Sequence, residues 1–193
     1  MGLVIGLHGA KGSGKDQFYK AVKDAFPSLD VRKIAYADPI KEEVCRIFDL
    51  QNEEEYDNFK RTHLSFAFPS EVIRSMSLRE VSGRQVVREI GMMMRRYNEQ
   101  QFVEYVERKI SNAPEAIWCI TDLRFVNELG SIRKLNGLVV KIKRSGVQYD
   151  GHVTETEFPD ILCDSIINNI DLTLDEYNKV AVKEFEYLMR DKR

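Results

Sequence analysis

Gly9-Ala10-Lys11-Gly12-Ser13-Gly14-Lys15-Asp16 is the stretch of this chain whose residue types and spacing could do chemistry unaided. Glycines let a backbone bend back so that several N–H groups converge on one anion. A lysine directly after the last glycine can then reach the β- and γ-phosphates of a nucleotide. The Gly-x4-Gly-Lys spacing of a phosphate-binding loop is complete, and only its end departs. Asp16 stands where Ser or Thr offers a hydroxyl to Mg²⁺. A carboxylate is also a hard oxygen donor for that ion, yet it puts negative charge close to the phosphates. The expectation is that the loop from Gly9 to Asp16 binds nucleotide, with Lys15 on the transferring phosphate and Asp16 on the metal. An ordinary glycine-rich turn with an exposed lysine is the alternative.

A second group lies far along the chain. Ala116-Ile117-Trp118-Cys119-Ile120-Thr121-Asp122 is a continuous apolar run that ends in an acid. An aspartate at the carboxyl end of a central strand, beside a phosphate loop, suits Mg²⁺ or its bound water. Arg124 and Glu128 follow at a spacing that puts both on one face of a helix beginning there. Two readings stay open for them: groups facing a substrate, or an ion pair within the helix. His152, in the polar stretch 144–160 with Glu155 and Glu157, has no nucleophile near it and reads as structural or solvated.

The elements that must position these groups are legible in outline. Leu3-Val4-Ile5-Gly6-Leu7 reads as a buried parallel strand. The helix after the loop carries Phe18, Val22, Ala25 and Phe26 as its apolar positions. Residues 31–36 read as a second strand, followed by a helix over roughly 40–48, with Asp38 as its cap and Pro39 at its first position. Residues 49–80 read either as a mobile insertion closing over a substrate or as a solvated connection. Helices are predicted over about 83–96 and 99–110, strands over 138–142 and 164–169, and a last amphipathic helix over about 173–189. Strands alternating with helices imply an α/β domain with a mostly parallel sheet, its ligand at the carboxyl ends of the strands.

Composition narrows the partners. The chain has 193 residues, 43% hydrophobic and 31% charged, which fits one soluble domain with a substantial core. A formal net charge of −2 gives no global field for nucleic acid or anionic membrane, so neither is an expected partner. The apolar runs fall short of the ~20 residues a membrane span needs, and the N-terminus leads directly into a strand, leaving no expected signal peptide. Cys45, Cys119 and Cys163 lack any CxxC spacing, which argues against a zinc site or a disulfide framework and suits a reducing cytoplasm.

Several blocks together resemble the phage deoxynucleoside monophosphate kinases, P-loop enzymes of the nucleoside monophosphate kinase type. They are Ser13-Gly14-Lys15-Asp16; Ala37-Asp38-Pro39-Ile40-Lys41; the helix with Arg84 and Gly91; Thr121-Asp122-Leu123-Arg124-Phe125-Val126-Asn127-Glu128-Leu129; His152-Val153-Thr154-Glu155; and the region ending near Asn169. The Asp-terminated loop and the Asp-x-Arg-Phe-x-Asn-Glu block carry the specificity. The resemblance implies a P-loop kinase fold: a mostly parallel five-stranded sheet flanked by helices, in one domain over 1–193, with a helical acceptor-binding or lid insertion at about 49–112. It implies ATP and Mg²⁺ as cofactors, Asp16 and Asp122 at the metal, and catalytic roles for Lys15, Asp16, Arg84, Asp122, Arg124 and Glu128. Asn169 would join the loop in holding nucleotide. Asp38, Arg84, Arg88, Gly91, Phe102, Arg124 and Glu128 would line the acceptor site.

Three positions depart from that family's pattern. Met92 follows Gly91 where a Thr is usual, Arg88 replaces a Gln or Glu, and Phe102 stands for a Trp. All fall in the acceptor-facing segment. The Ser-Gly-Lys-Asp loop also resembles that of animal-type phosphomevalonate kinases, which keeps a non-nucleotide acceptor open. The expected activity is therefore transfer of the γ-phosphate of ATP to a (deoxy)nucleoside monophosphate. A small-metabolite kinase and an ATP-binding switch protein without acceptor are the rivals. Small-molecule nucleotides are the expected partners, with a homodimer among the allowed states and the cytoplasm (a host's, if phage-encoded) as the expected compartment.

Overall fold

The computed structural model describes residues 2–64, 81–146 and 158–191. The chain divides into two compact units, one of Met1–Tyr36 with Phe102–Arg193 and one of Ala37–Gln101.

In the first unit, β1 (Leu3–His8), β2 (Val31–Ile34), β5 (Ile117–Ile120), β6 (Leu138–Arg144) and β7 (Ser165–Asn169) form one sheet in the order β2-β5-β1-β6-β7. Every pairing in it is parallel. All six residues of β1 and all four of β5 are buried, because a parallel sheet is covered on both faces. That is why these strands read as unbroken apolar runs instead of alternating. α1 (Lys15–Ala25) and α7 (Leu174–Asp191) are joined in one core, where Phe18, Val22, Ala181, Phe185 and Leu188 are buried with Leu7 and Ile142. α5 (Gln101–Ser111) buries Phe102, Val103, Val106 and Ile110. α6 runs Val126–Lys134. Among the described residues no helix is long and apolar enough to cross a membrane.

The second unit holds α2 (Asp38–Ile47), α3 (Glu53–Arg61), α4 (Gly83–Tyr97) and a two-stranded antiparallel pair, β3 (His63–Leu64) with β4 (Val81–Ser82). Val44, Tyr56 and Phe59 are its core, with Ile40, Phe48, Val86, Val87 and Ile90 packed against them. Burial pushes the Tyr56 hydroxyl up to about 12. Its helices carry clear local signals: Asn52 accepts from the Glu55 N–H at 2.9 Å, and Ser82 and Gln85 cap α4 reciprocally. This unit begins and ends earlier than the span of about 49–112 expected for the helical insertion, since Phe102 onward groups with the sheet.

One local reading needs correcting. Asp38 is not the cap of α2 but its first residue. The cap position is Ala37, which makes no side-chain bond, and Asp38 contributes through its charge in the first turn. Within the stretch 49–80, Glu53–Arg61 is helix α3, as the residues Glu53–Tyr56 suggest, and His63–Leu64 is strand β3. Residues 65–80 lie outside the described residues, as do His152, Glu155 and Glu157.

Candidate active site

The loop between β1 and α1 turns through three glycines with positive φ: Gly9 at 151°, Gly12 at 80° and Gly14 at 116°. Its carbonyls are held one after another. Lys15 Nζ donates to Gly9 O at 2.7 Å and to Ala10 O at 2.8 Å. Arg144 Nη1 donates to Gly12 O at 2.9 Å, and Asn169 Nδ2 to Ser13 O at 2.8 Å. Tyr177 Oη donates to Gly14 O at 2.9 Å.

The register explains the middle pair. Arg144 and Asn169 are partners across β6 and β7, so neighbouring side chains at the carboxyl end of the sheet take neighbouring carbonyls of the loop. Across a trans peptide the C=O and the following N–H point opposite ways. The Ser13 N–H turns back to Ala10 O at 3.1 Å, while the pinned carbonyls of Ser13 and Gly14 direct the amides that follow them, of Gly14 and Lys15, toward an anion at the N-terminus of an eleven-residue helix. Tyr177 is 2% exposed, and burial raises its hydroxyl far above the ordinary phenol range, so it acts as a neutral donor. Ser13 Oγ is buried and has no hydrogen-bond partner among the described residues.

The segment after β5 is tied at three points. Asp122 Oδ1 accepts the Tyr36 N–H at 2.7 Å, bridging the ends of the paired strands β5 and β2. Leu123 O lies 3.0 Å from His8 Nδ1. His8 Nε2 accepts the Phe158 N–H at 3.0 Å, so the ring is neutral with its proton on Nδ1, donating to Leu123 O. Lys141, 3% exposed and partner of His8 in the β1–β6 register, donates to Phe158 O at 2.7 Å. The third tie is Glu128. Its Oε2 accepts the backbone N–H groups of Arg124 at 2.8 Å and Phe125 at 3.0 Å.

This corrects the sequence reading of Arg124 and Glu128. α6 starts at Val126, so Arg124 precedes the helix and the two do not share a helical face. Glu128, 1% exposed, reaches back from the third helical position to the chain entering the helix. It is a positioning residue for Arg124. Tyr36, 1% exposed, completes the arrangement by donating from Oη to Glu128 O at 3.1 Å.

The other candidates are placed as follows. Asp16 is exposed on the first turn of α1, its Oδ1 3.3 Å from Lys33 Nζ. Asn169 holds the loop's backbone from behind. Arg84 and Arg88 lie one turn apart on α4 in the second unit, both half-buried, and Asp38 starts α2 there. Gly91 is buried where a Cβ would stand 2.8 Å from Ile40 Cδ1, so it lets α2 and α4 approach. Phe102 is fully buried.

Sequence reasoning passed over His8, Tyr36, Arg144 and Tyr177. A histidine ending an apolar strand just before the loop was a usable signal for the first. For Arg144 the basic cluster Lys141-Lys143-Arg144 was one, of the kind expected around phosphorylated substrates, while Tyr36 and Tyr177 had none.

The residues fit a nucleotide with its magnesium ion. Mg²⁺ is commonly bound through one or two carboxylates plus substrate phosphates, and Asp16 stands exposed beside the loop. Asp122 has one oxygen committed to Tyr36. Among the described residues no three His, Cys, Asp or Glu side chains gather to hold a metal alone.

A parallel sheet in this order, with a phosphate loop between its central strand and first helix, is the P-loop kinase fold. Dephospho-CoA kinase from Campylobacter jejuni shares it, with a TM-score of 0.51 over 100% of both chains at 15% identity. In sequence, the chain is 26% identical over 185 residues to a mimivirus protein (Acanthamoeba polyphaga mimivirus) named "Putative deoxynucleotide monophosphate kinase", covering 91% of this chain and 92% of that one. The resemblance seen in the motifs thus extends along nearly the whole chain. No family model matches it.

Proposed function

We propose that this protein is an ATP-dependent kinase that transfers the γ-phosphate to the phosphate of a deoxynucleoside monophosphate. The observation that carries the reading is the loop whose successive carbonyls are held by Lys15, Arg144, Asn169 and Tyr177, leaving amides and an ammonium for a triphosphate. The viral relative's name and the fold support it.

Phosphoryl transfer asks a protein for position and charge. The loop amides and the start of α1 would orient the β- and γ-phosphates. Lys15, released from Gly9 and Ala10, would move its charge onto the transferring group. Asp16 would hold the metal, which would supply positive charge against the charge developing on the transferring group. Arg124 would grip acceptor phosphate, because a guanidinium matches two phosphate oxygens at once and its backbone is already fixed.

The direct test is ADP release across a panel of deoxynucleoside, ribonucleoside and small-metabolite monophosphates. Stimulation by deoxynucleoside monophosphates supports the proposal. Stimulation only by a metabolite such as phosphomevalonate selects that rival, which the Ser13-Gly14-Lys15-Asp16 loop keeps open, and no stimulation by any acceptor selects a switch protein.

The tie between Glu128 and Arg124 gives a sharper expectation. Arg124→Lys keeps the charge but loses the planar fork, and should raise acceptor KM or lower kcat with ATP affinity unchanged. Glu128→Gln should move the same acceptor parameter and also cost about 1.5–3 kcal/mol of stability, because a buried charged acceptor of two N–H groups is weakened. Acceptor kinetics equal to wild type in both variants would place the grip elsewhere.

A further inference from the structure

We propose that Lys33 is a counter-cation that occupies Asp16 until nucleotide brings the metal in, so that it sets the order in which metal and nucleotide bind. The inference rests on the kinase reading and goes beyond it, since nothing in a phosphate loop calls for a lysine on the second strand.

The argument begins with an anomaly of charge. A hydroxyl at the position of Asp16 is neutral toward both metal and phosphates. A carboxylate attracts free divalent cations and repels free nucleotide, each of which would hinder productive assembly. β2 is an edge strand whose outer residues are buried and whose two middle residues, Arg32 and Lys33, are exposed. They are not equivalent. Arg32 is paired with Asp30 and lies over the Trp118 ring, which accounts for it structurally. Lys33 crosses instead to α1, its Nζ 3.3 Å from Asp16 Oδ1.

Both partners are well exposed, 41% for the Lys33 side chain and 68% for that of Asp16. A pair so solvated contributes little to holding the fold. Its consequence falls on Asp16 as a ligand. An ammonium and a hydrated metal ion compete for the same oxygen, and Mg²⁺ sheds its water reluctantly. With a single carboxylate on offer the lysine holds the position. When triphosphate oxygens share the coordination, the metal displaces it. Lys33 meanwhile cancels the charge that would oppose nucleotide entering without metal.

The test uses Lys33→Met, Asp16→Asn and the double variant in the full chain. Mn²⁺ binding to nucleotide-free protein is read by electron paramagnetic resonance, and ADP binding in EDTA by calorimetry. Lys33→Met should tighten Mn²⁺ and weaken metal-free ADP, each by roughly 2–5-fold, the range an exposed pair supports. The thermal midpoint should stay put. On the Asp16→Asn background the same substitution should change neither constant. Unchanged constants in Lys33→Met overturn the inference. So do effects that persist without Asp16, which would show only a general field. If wild type binds no ADP with or without metal, the kinase reading itself fails and this inference with it. Normal ADP binding with an inert Lys33→Met sinks the inference alone.

Discussion

Lys15→Ala should lower kcat by roughly 10²–10³-fold, the loss typical of removing one preorganised group that meets developing charge. The Lys15 side chain returns to the loop's own backbone, spanning from the start of α1 to Gly9 and Ala10. Its ammonium is thereby kept at the loop before any phosphate arrives, and it exchanges these two carbonyls for phosphate oxygens when nucleotide binds. Removing it forfeits two hydrogen bonds to carbonyls that solvent can take over, so stability should fall by no more than about 1–2 kcal/mol. The pair of readouts matters: ADP release in the presence of acceptor must collapse while the thermal transition moves by a few degrees at most. Lys15→Arg should recover little, because a longer, forked cation does not fit the same span. Turnover near wild type in Lys15→Ala would remove the basis for calling this loop catalytic.

Gly14→Ala should damage fold and nucleotide binding together. At φ 116° the backbone is in a region that side-chain-bearing residues rarely adopt, which costs of order 1–3 kcal/mol. The added Cβ would also stand 3.0 Å from Tyr177 Cζ and Oη and 3.1 Å from Asn169 Nδ2. These are the groups that hold Gly14 O and Ser13 O, so strain and loss of two anchors coincide. A destabilisation of about 2–4 kcal/mol follows, with nucleotide affinity lost alongside. Gly12→Ala is the matched control. Its φ is 80°, but nothing lies within 4 Å of a Cβ there, so it carries strain without collision. Tyr177→Phe isolates one anchor and should cost about 1 kcal/mol. Thermal melts and binding of a fluorescent ADP analogue across the three variants separate the contributions. Equal effects of Gly14→Ala and Gly12→Ala would show that the anchors carry no weight.

The parts that sequence alone conveyed were those with a local or periodic cause. Leu3–Leu7 and Ile117–Ile120 were legible because a strand covered on both faces is apolar throughout. The loop was legible because its glycines, lysine and flanking elements are contiguous. The placing of Arg124 and Glu128 on one helix face was misread for a definable reason: a separation of four residues suits both a pair along a helix and a side chain capping the chain that enters it. Only the start of α6 at Val126 decides between them. Asn52 with Glu55 was a readable cap that the surrounding polar residues obscured. Arg144, Asn169 and Tyr177 reach the loop from more than 130 positions away. Of these, resemblance marked Asn169, while strand order and register brought all three to the loop.

Those distant anchors bear on when the protein becomes competent. Synthesis proceeds from the N-terminus at about 5–20 residues per second, so the glycine loop leaves the ribosome well before its anchors. Tyr177, Asn169 and Arg144 follow more than 130 residues later, with β6 and β7 that carry two of them. A nascent chain stalled before residue 140 holds every letter of the phosphate-binding signature yet lacks three of the groups that give it shape. The loop therefore gains its full set of anchors only after β6, β7 and the first turn of α7 have emerged, well after the loop itself is made.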